Sequence, residues 1–156
     1  MKKLGFILGF LLLTTLVINA QVKQNENGLY VDADGSLFTG TVINKENGVK
    51  QSELEVKDGL TNGEAKYYYA SGKLMETGMF EKGQKDCKWL RYNESGVNVG
   101  LALFHLGKKN GTWLVWNDAG KKLFEMHYTM GEKTEIWYNW NEKGELVSSK
   151  DFSQVN

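Results

Sequence analysis

The stretch that decides the fold is GTWLVWNDAGKKLFEMHYTMG, residues 111–131. Its TWLVW segment, residues 112–116, consists of β-branched and aromatic side chains, which β-strands prefer. NDAG follows at 117–120, and Asn at the start of a type I turn with Gly at the left-handed position is typical of a hairpin loop with a bulge. KKLFEMHYT, residues 121–129, is then the return strand. The stretch therefore predicts one antiparallel hairpin.

The same unit recurs along the chain with a period of 24 residues. Internal repetition of this length is the signature of a repeat architecture. Two glycine series have the period: Gly59, Gly83, Gly107 and Gly131; and Gly48, Gly72, Gly96, Gly120 and Gly144. Three aromatic columns share it: Trp89, Trp113 and Trp137; Tyr68, Tyr92, Trp116 and Trp140; and Phe80, Phe104, Tyr128 and Phe152. Hairpin turns are predicted at Asn47-Gly48, Ser71-Gly72, Ser95-Gly96, Ala119-Gly120 and Lys143-Gly144.

Both faces of the predicted strands carry large apolar side chains. Side chains alternate between the two faces of a strand, so Trp113 and Val115 share one face while Leu114 and Trp116 share the other. A sheet with one solvated face would instead alternate cleanly between apolar and polar residues. We therefore predict an all-β fold: a single-layer antiparallel sheet of about ten strands, built from tandem 24-residue β-hairpin repeats.

The first 20 residues differ from the rest of the chain. Lys2 and Lys3 precede an apolar run from Leu4 to Ile18, and Ala20 offers a small residue for cleavage. This pattern predicts a secretory signal peptide at residues 1–20 and an exported, periplasmic or extracellular protein. Position 21 is Gln, so cleavage there gives no N-terminal Cys for a lipid anchor. Residues 21–38 are predicted to form an edge or cap, and residues 39–156 the repeat domain, with repeats at about 39–59, 60–83, 84–107, 108–131 and 132–156.

Charge and cysteine content narrow the candidate functions. Without Lys2 and Lys3, 17 of the 19 Lys and Arg remain against 19 Asp and Glu, a net charge of about −2. No basic field is present to attract nucleic acid. The one cysteine, Cys87, has no partner in the chain for an internal disulfide. Packing and strand pairing must therefore supply the stability.

The repeat resembles the MORN-repeat variant family, which includes the YwqK-type antitoxins. The family unit appears here as Gly111, the aromatic strand around Trp113 and Trp116, the turn ending at Gly120, and the closing residues Tyr128 and Gly131. The match spans about residues 39–152. The resemblance implies an array of MORN-like hairpins, and it implies an antitoxin or immunity protein as one candidate function.

Three positions depart from the repeat pattern. Cys87 and Glu135 stand where other repeats have Gly63 and Gly111, and Gly100 replaces a larger residue in the third return strand. The departures concern single units of the array.

Several residues invite a chemical interpretation for which a structural one is favoured. His105 and His127 lack further His or Cys at zinc-ligand spacing. Asp32 and Asp34 lie in DADG, where Gly comes too early for a calcium loop, so a turn is expected. Cys87 has Lys85 and Lys88 nearby, which could activate a thiol, but no motif supplies a His or Asn partner. Two N-x-S/T acceptor patterns fall at predicted turns: Asn93-Glu94-Ser95 and Asn110-Gly111-Thr112.

The sequence thus predicts a non-catalytic protein with no cofactor and no metal. Trp89, Trp113 and Trp137 should line one face, either as structural rungs or as a binding surface ringed by Arg91 and Asn139. Three functions stay open: an exported module that binds a protein or has a structural role, an antitoxin or immunity protein, and a glycan-binding module of the cell envelope. The expected partner is another protein, with a cell-envelope glycan as the alternative. Nucleic acid is not expected, and contact with a membrane is expected only through the signal segment before cleavage.

Overall fold

The computed structural model describes residues 22–153, so the predicted signal peptide at residues 1–20 lies outside the described residues. Within this range the chain forms strands and turns, and it has no helix of the length and apolarity that crossing a membrane requires. The strands are β1 (Lys23–Gln24), β2 (Tyr30–Val31), β3 (Gly40–Glu46), β4 (Val49–Lys57), β5 (Leu60–Tyr68), β6 (Leu74–Glu81), β7 (Gln84–Tyr92), β8 (Asn98–His105), β9 (Lys108–Lys109), β10 (Gly111–Trp116), β11 (Lys122–Thr129), β12 (Glu132–Trp140) and β13 (Leu146–Asp151).

Strands β3 to β13 form one antiparallel sheet in which consecutive strands pair, except that β10 pairs with β8 and not with β9. The short strand β9 and the strand β10 both pair with β8 and together make one repeat strand. Every predicted hairpin turn falls between two paired strands. The prediction of an all-β, single-layer sheet of consecutive hairpins is therefore confirmed.

The turns that follow β7, β10 and β12 share one hydrogen-bonding pattern. The Asn117 side chain accepts hydrogen bonds from the backbone N–H groups of Ala119 and Lys121, at 3.1 and 2.9 Å. Asn93 and Asn141 do the same one repeat before and one repeat after. Such Asn-centred turns hold the loop without help from other strands, which explains why Asn recurs in these turns.

Gly120 is the residue of this turn that tolerates replacement least. Its φ is +75°, in the left-handed region, and nothing lies within 4 Å of a Cβ built on it. Gly120→Val is therefore expected to lose about 1–3 kcal/mol of unfolding free energy through backbone strain alone. Denaturant melting measures this loss, with Ala119→Val in the same turn as the control. An unfolding free energy within about 0.5 kcal/mol of the native chain, the usual spread for a neutral surface change, would contradict the turn assignment.

The first strand of the later hairpins carries a bulge. In β7, three residues, 87–89, face the single residue Gly78 of β6, and β5 and β12 repeat the irregularity. Cys87 and Glu135 occupy the bulge with φ of 56° and 58°, and Gly63 and Gly111 occupy it in the other repeats with φ of 114° and 98°. The backbone turns left-handed here, which explains why glycine recurs at this position.

The N-terminal residues cover the first strands of the sheet. The β1–β2 hairpin is tied to the repeats by the Tyr30 N–H, which donates to the Gly59 carbonyl at 2.9 Å. Tyr30 packs against the central cluster of buried side chains, Leu54, Ala65 and Trp89. Most buried apolar side chains consequently lie near this end of the array, whereas all six residues of β13 are exposed.

Candidate functional site

The predicted tryptophan column lies on one face of the sheet, which we call the aromatic face. Trp89 pairs with Ala102, Trp113 with Met126 and Trp137 with Lys150 across neighbouring strands. Arg91 and Asn139 lie on the same face, as the sequence predicts, because each follows a tryptophan by two residues along a strand.

Return-strand aromatics fill every gap between the tryptophans. Ring centroids lie 6.4 Å apart for Trp89–Phe104 and 5.0 Å apart for Phe104–Trp113. Tyr128 bridges Trp113 and Trp137 at 5.6 and 5.0 Å. The tilted and edge-on ring arrangements are those that aromatic pairs favour. The column is thus part of a continuous aromatic ladder that runs across the strands and joins the repeats.

Each indole of the column is also hydrogen-bonded to the backbone. The Nε1–H groups donate to the carbonyls of Met79, Leu103 and His127, each ten residues earlier, at 2.9–3.1 Å. Trp89 is 2% exposed, while Trp113 and Trp137 are half-buried. All three therefore hold the sheet together, and the last two also present part of their rings to solvent.

A row of lysines covers the ladder. The Nζ atoms of Lys85, Lys109 and Lys133 lie 3.7, 4.1 and 4.6 Å from the ring centroids of the tryptophans four residues later. Cation–π attraction of this kind is worth about 0.5–1 kcal/mol at exposed sites. The lysine row was not predicted from the sequence, although its signal was present there: the three lysines are 24 residues apart.

A depression of about 310 Å³ opens on the aromatic face between Trp89 and Trp113. Its floor is made by Gly100 and Ala102, and Phe104 and Val115 form part of its wall. The missing side chain at Gly100 creates the space, because Glu76 and Phe124 stand at the same position of the neighbouring repeats. This site could not be found from the aromatic pattern, although the departure at Gly100 was visible in the sequence.

Charged groups border the depression. The Lys85 ammonium forms an ion pair with the Glu76 carboxylate at 2.6 Å, and Arg91 is exposed beside Gly100. Tyr67 and Tyr30 pack against the buried cluster that contains Trp89, where burial raises the pKa of both phenols. The site is thus apolar at its floor and positively charged at its rim.

The other candidate residues lie elsewhere and stay separate from one another. His105 lies 3.4 Å from the Asp86 carboxylate, and His127 lies 3.3 Å from Glu125 and 3.6 Å from Glu135, all on the opposite face. Within residues 22–153, no three His, Cys, Asp or Glu side chains come together in a way that could hold a metal ion.

Asp32 and Asp34 form the turn that the sequence predicts. Asp34 accepts hydrogen bonds from the Ser36 N–H and hydroxyl, which lower the pKa of its carboxyl. The Asp32 N–H donates to the Ser36 carbonyl at 2.9 Å. Backbone and side-chain groups of the turn therefore satisfy one another.

Cys87 is exposed, and its surroundings do not activate it. The thiol donates to the Asp86 carboxylate at 3.2 Å, and this bond and the negative charge raise the pKa of the thiol. Lys85, a neighbour that could have lowered the pKa, points to the Trp89 ring instead. A raised pKa leaves less of the nucleophilic thiolate.

The asparagine side chains of the two N-x-S/T patterns form hydrogen bonds that stabilise turns. Asn93 accepts two backbone N–H groups and donates to Asp118, and Asn110 accepts the Met130 N–H at 3.0 Å.

Comparison with known proteins adds no family. No family model and no curated protein matches the chain, so the resemblance to the MORN-repeat variant family stays a prediction. Among solved structures, the chain is similar to one described as "Crystal structure of GtfA/B complex bound to UDP and GlcNAc", with 9% sequence identity and a TM-score of 0.32. The match covers 72% of this chain and 23% of that chain. A likeness this distant says nothing about function.

Proposed function

We propose that this chain is a non-catalytic, exported binding module that takes an apolar side chain of a protein partner into the depression above Gly100. The observation that carries the proposal is the depression itself, an apolar hollow of about 310 Å³ on a face lined with partly exposed tryptophans. Hollows of this kind between aromatic side chains are where interface anchors bind. The predicted signal peptide supports an exported location.

The geometry favours a protein partner over a sugar. Stacking of a sugar ring needs an open aromatic face, but lysine ammonium groups lie over the three tryptophans of the column. An apolar side chain needs only the hollow between Trp89 and Trp113. The open, shallow form of the site also supports binding rather than catalysis, since catalysis requires groups enclosed around a reacting atom.

Filling the depression is the direct test of this function. Gly100 has an ordinary strand backbone, and a Cβ there would meet only the Arg91 Cβ, at 3.2 Å. Gly100→Leu should therefore fold normally and lose capture of the partner from an envelope and culture extract by more than about tenfold, as expected for a blocked anchor worth 2 kcal/mol or more.

The matched control is Ser148→Leu, which adds the same side chain to the same face on the exposed strand β13. A partner retained by the native chain and by Ser148→Leu, and lost by Gly100→Leu, supports the proposal. Equal capture by all three proteins would refute it, and retention on purified peptidoglycan or envelope polysaccharide, lost by Gly100→Leu, would replace it with the glycan-binding alternative.

A further inference from the structure

The two faces of the sheet differ in how their charges are balanced. Strand residues on the aromatic face include the lysine row, Arg91 and Lys150, together with the Glu76 carboxylate. The opposite face carries most of the strand carboxylates: Glu53, Glu55, Glu64, Asp86, Glu125 and Asp151. The aromatic face is therefore basic, whereas on the opposite face Lys50, Lys66 and Lys122 form ion pairs with Glu53, Glu64 and Glu125.

Most cations of the aromatic face have no anionic partner. Glu76 neutralises Lys85, but among residues 22–153 no carboxylate lies within 4.0 Å of the side-chain nitrogens of Arg91, Lys109, Lys133 or Lys150. Arg91, Lys133 and Lys150 are exposed, so their charges are accessible to a ligand. The face is therefore prepared to attract negative charge.

The spacing of the lysine row defines the shape of the ligand that fits it. Successive lysines of the row are two strands apart, which is about 9.6 Å across the sheet. An acidic chain in the polyproline II conformation repeats every three residues, about 9.3 Å, with every third side chain on the same side. An ordinary β-strand would place residues three apart on opposite sides.

We propose that the partner presents an acidic, polyproline II-like segment with a carboxylate at every third residue, laid across the strands of the aromatic face. The carboxylates meet the lysine row and Arg91, and an apolar side chain of the same segment enters the depression above Gly100. This inference rests on the proposed function and adds the chemistry and direction of the partner segment.

The test uses two labelled peptides of identical composition and the full chain. One peptide is four Glu-Pro-Ala repeats, and the other has its four glutamates contiguous. Fluorescence anisotropy at low salt should show that the spaced peptide binds at least about fivefold tighter. The double variant Lys109→Gln/Lys133→Gln should weaken that binding about 2- to 30-fold, the range expected for two lost charge contacts of about 0.2–1 kcal/mol each.

The chain offers a matched control, because Lys88 and Lys108 lie on the opposite face. Lys88→Gln/Lys108→Gln changes the net charge equally and should alter binding less than twofold. Equal affinity for both peptides, or equal loss in the two double variants, would overturn the inference. Binding of polygalacturonate in place of the spaced peptide would overturn it in favour of an anionic polysaccharide.

The experiment also separates the two proposals. If Gly100→Leu abolishes capture of a protein partner while the lysine variants retain it, the proposed function stands and the acidic segment is wrong. If the spaced peptide binds through the lysine row but Gly100→Leu leaves both this binding and partner capture unchanged, the depression has no part in binding and the proposed function is wrong.

Discussion

Trp89→Ala should cost about 3–5 kcal/mol of unfolding free energy, the range for removal of a large buried aromatic side chain. Trp89 is 2% exposed and belongs to the central cluster with Leu54 and Ala65. Its ring packs against Phe80 at 5.1 Å, its indole N–H donates to the Met79 carbonyl, and Lys85 lies over its face. One substitution removes all of these contacts together and leaves a cavity between two repeats.

Trp137→Ala is the matched comparison, because Trp137 has the same hydrogen bond and a similar lysine above it but remains half-buried. Equilibrium denaturation in urea, followed by far-ultraviolet circular dichroism, should show a clearly smaller loss for Trp137→Ala. Equal losses for the two variants would mean that the deeper burial of Trp89 adds no stability.

Gly78→Val should be similarly damaging for the opposite reason. A Cβ at Gly78 would lie 2.2 Å from Cδ2 of the Trp89 ring, which has no free space to move into because it is almost fully buried. We expect a loss of about 3 kcal/mol, at the upper end for overpacking of a core. Intrinsic Trp fluorescence should shift to longer wavelength if the ring is pushed out.

Gly100→Val provides the control for this variant. Gly100 is also a strand glycine without left-handed φ, but the nearest atom to its added Cβ is the Arg91 Cβ at 3.2 Å rather than a buried ring. If the Gly78→Val and Gly100→Val proteins had the same melting temperature, Trp89 would not need the bare backbone beneath it.

The fold was predictable because the glycine series mark backbone conformations that few other residues adopt. Turn residues such as Gly120 must adopt a left-handed conformation, which favours glycine. The spacing of these glycines in the sequence therefore gives the length and register of the hairpins. The return-strand aromatics were also predictable as fillers of the tryptophan column, since strand pairing places them between successive rungs.

The candidate site was less predictable because it depends on a missing side chain and on which face each charge occupies. Gly100 reads as a departure from the pattern, but only the pairing with Arg91 and Val115 shows that it opens a hollow beside Trp113. The deeper burial of Trp89 than of Trp137 likewise depends on features outside the repeat pattern: Tyr30 of the N-terminal segment packs against its cluster, and Gly78 leaves bare backbone beneath the ring.

The uneven burial of the repeats affects the order in which they unfold. In a linear repeat protein each unit is stabilised by its own contacts and those with its immediate neighbours, so the least covered terminal unit separates first. Strand β13 has Leu146 and Val147 56% and 60% exposed and has a neighbour on one side only, whereas the opposite end is fastened by the β1–β2 hairpin. We therefore expect the direction of unfolding to matter. A pulling force or a processive protease that engages the C-terminus would detach the strands one at a time. One that engages the N-terminus would first have to disrupt the most cooperative part of the molecule.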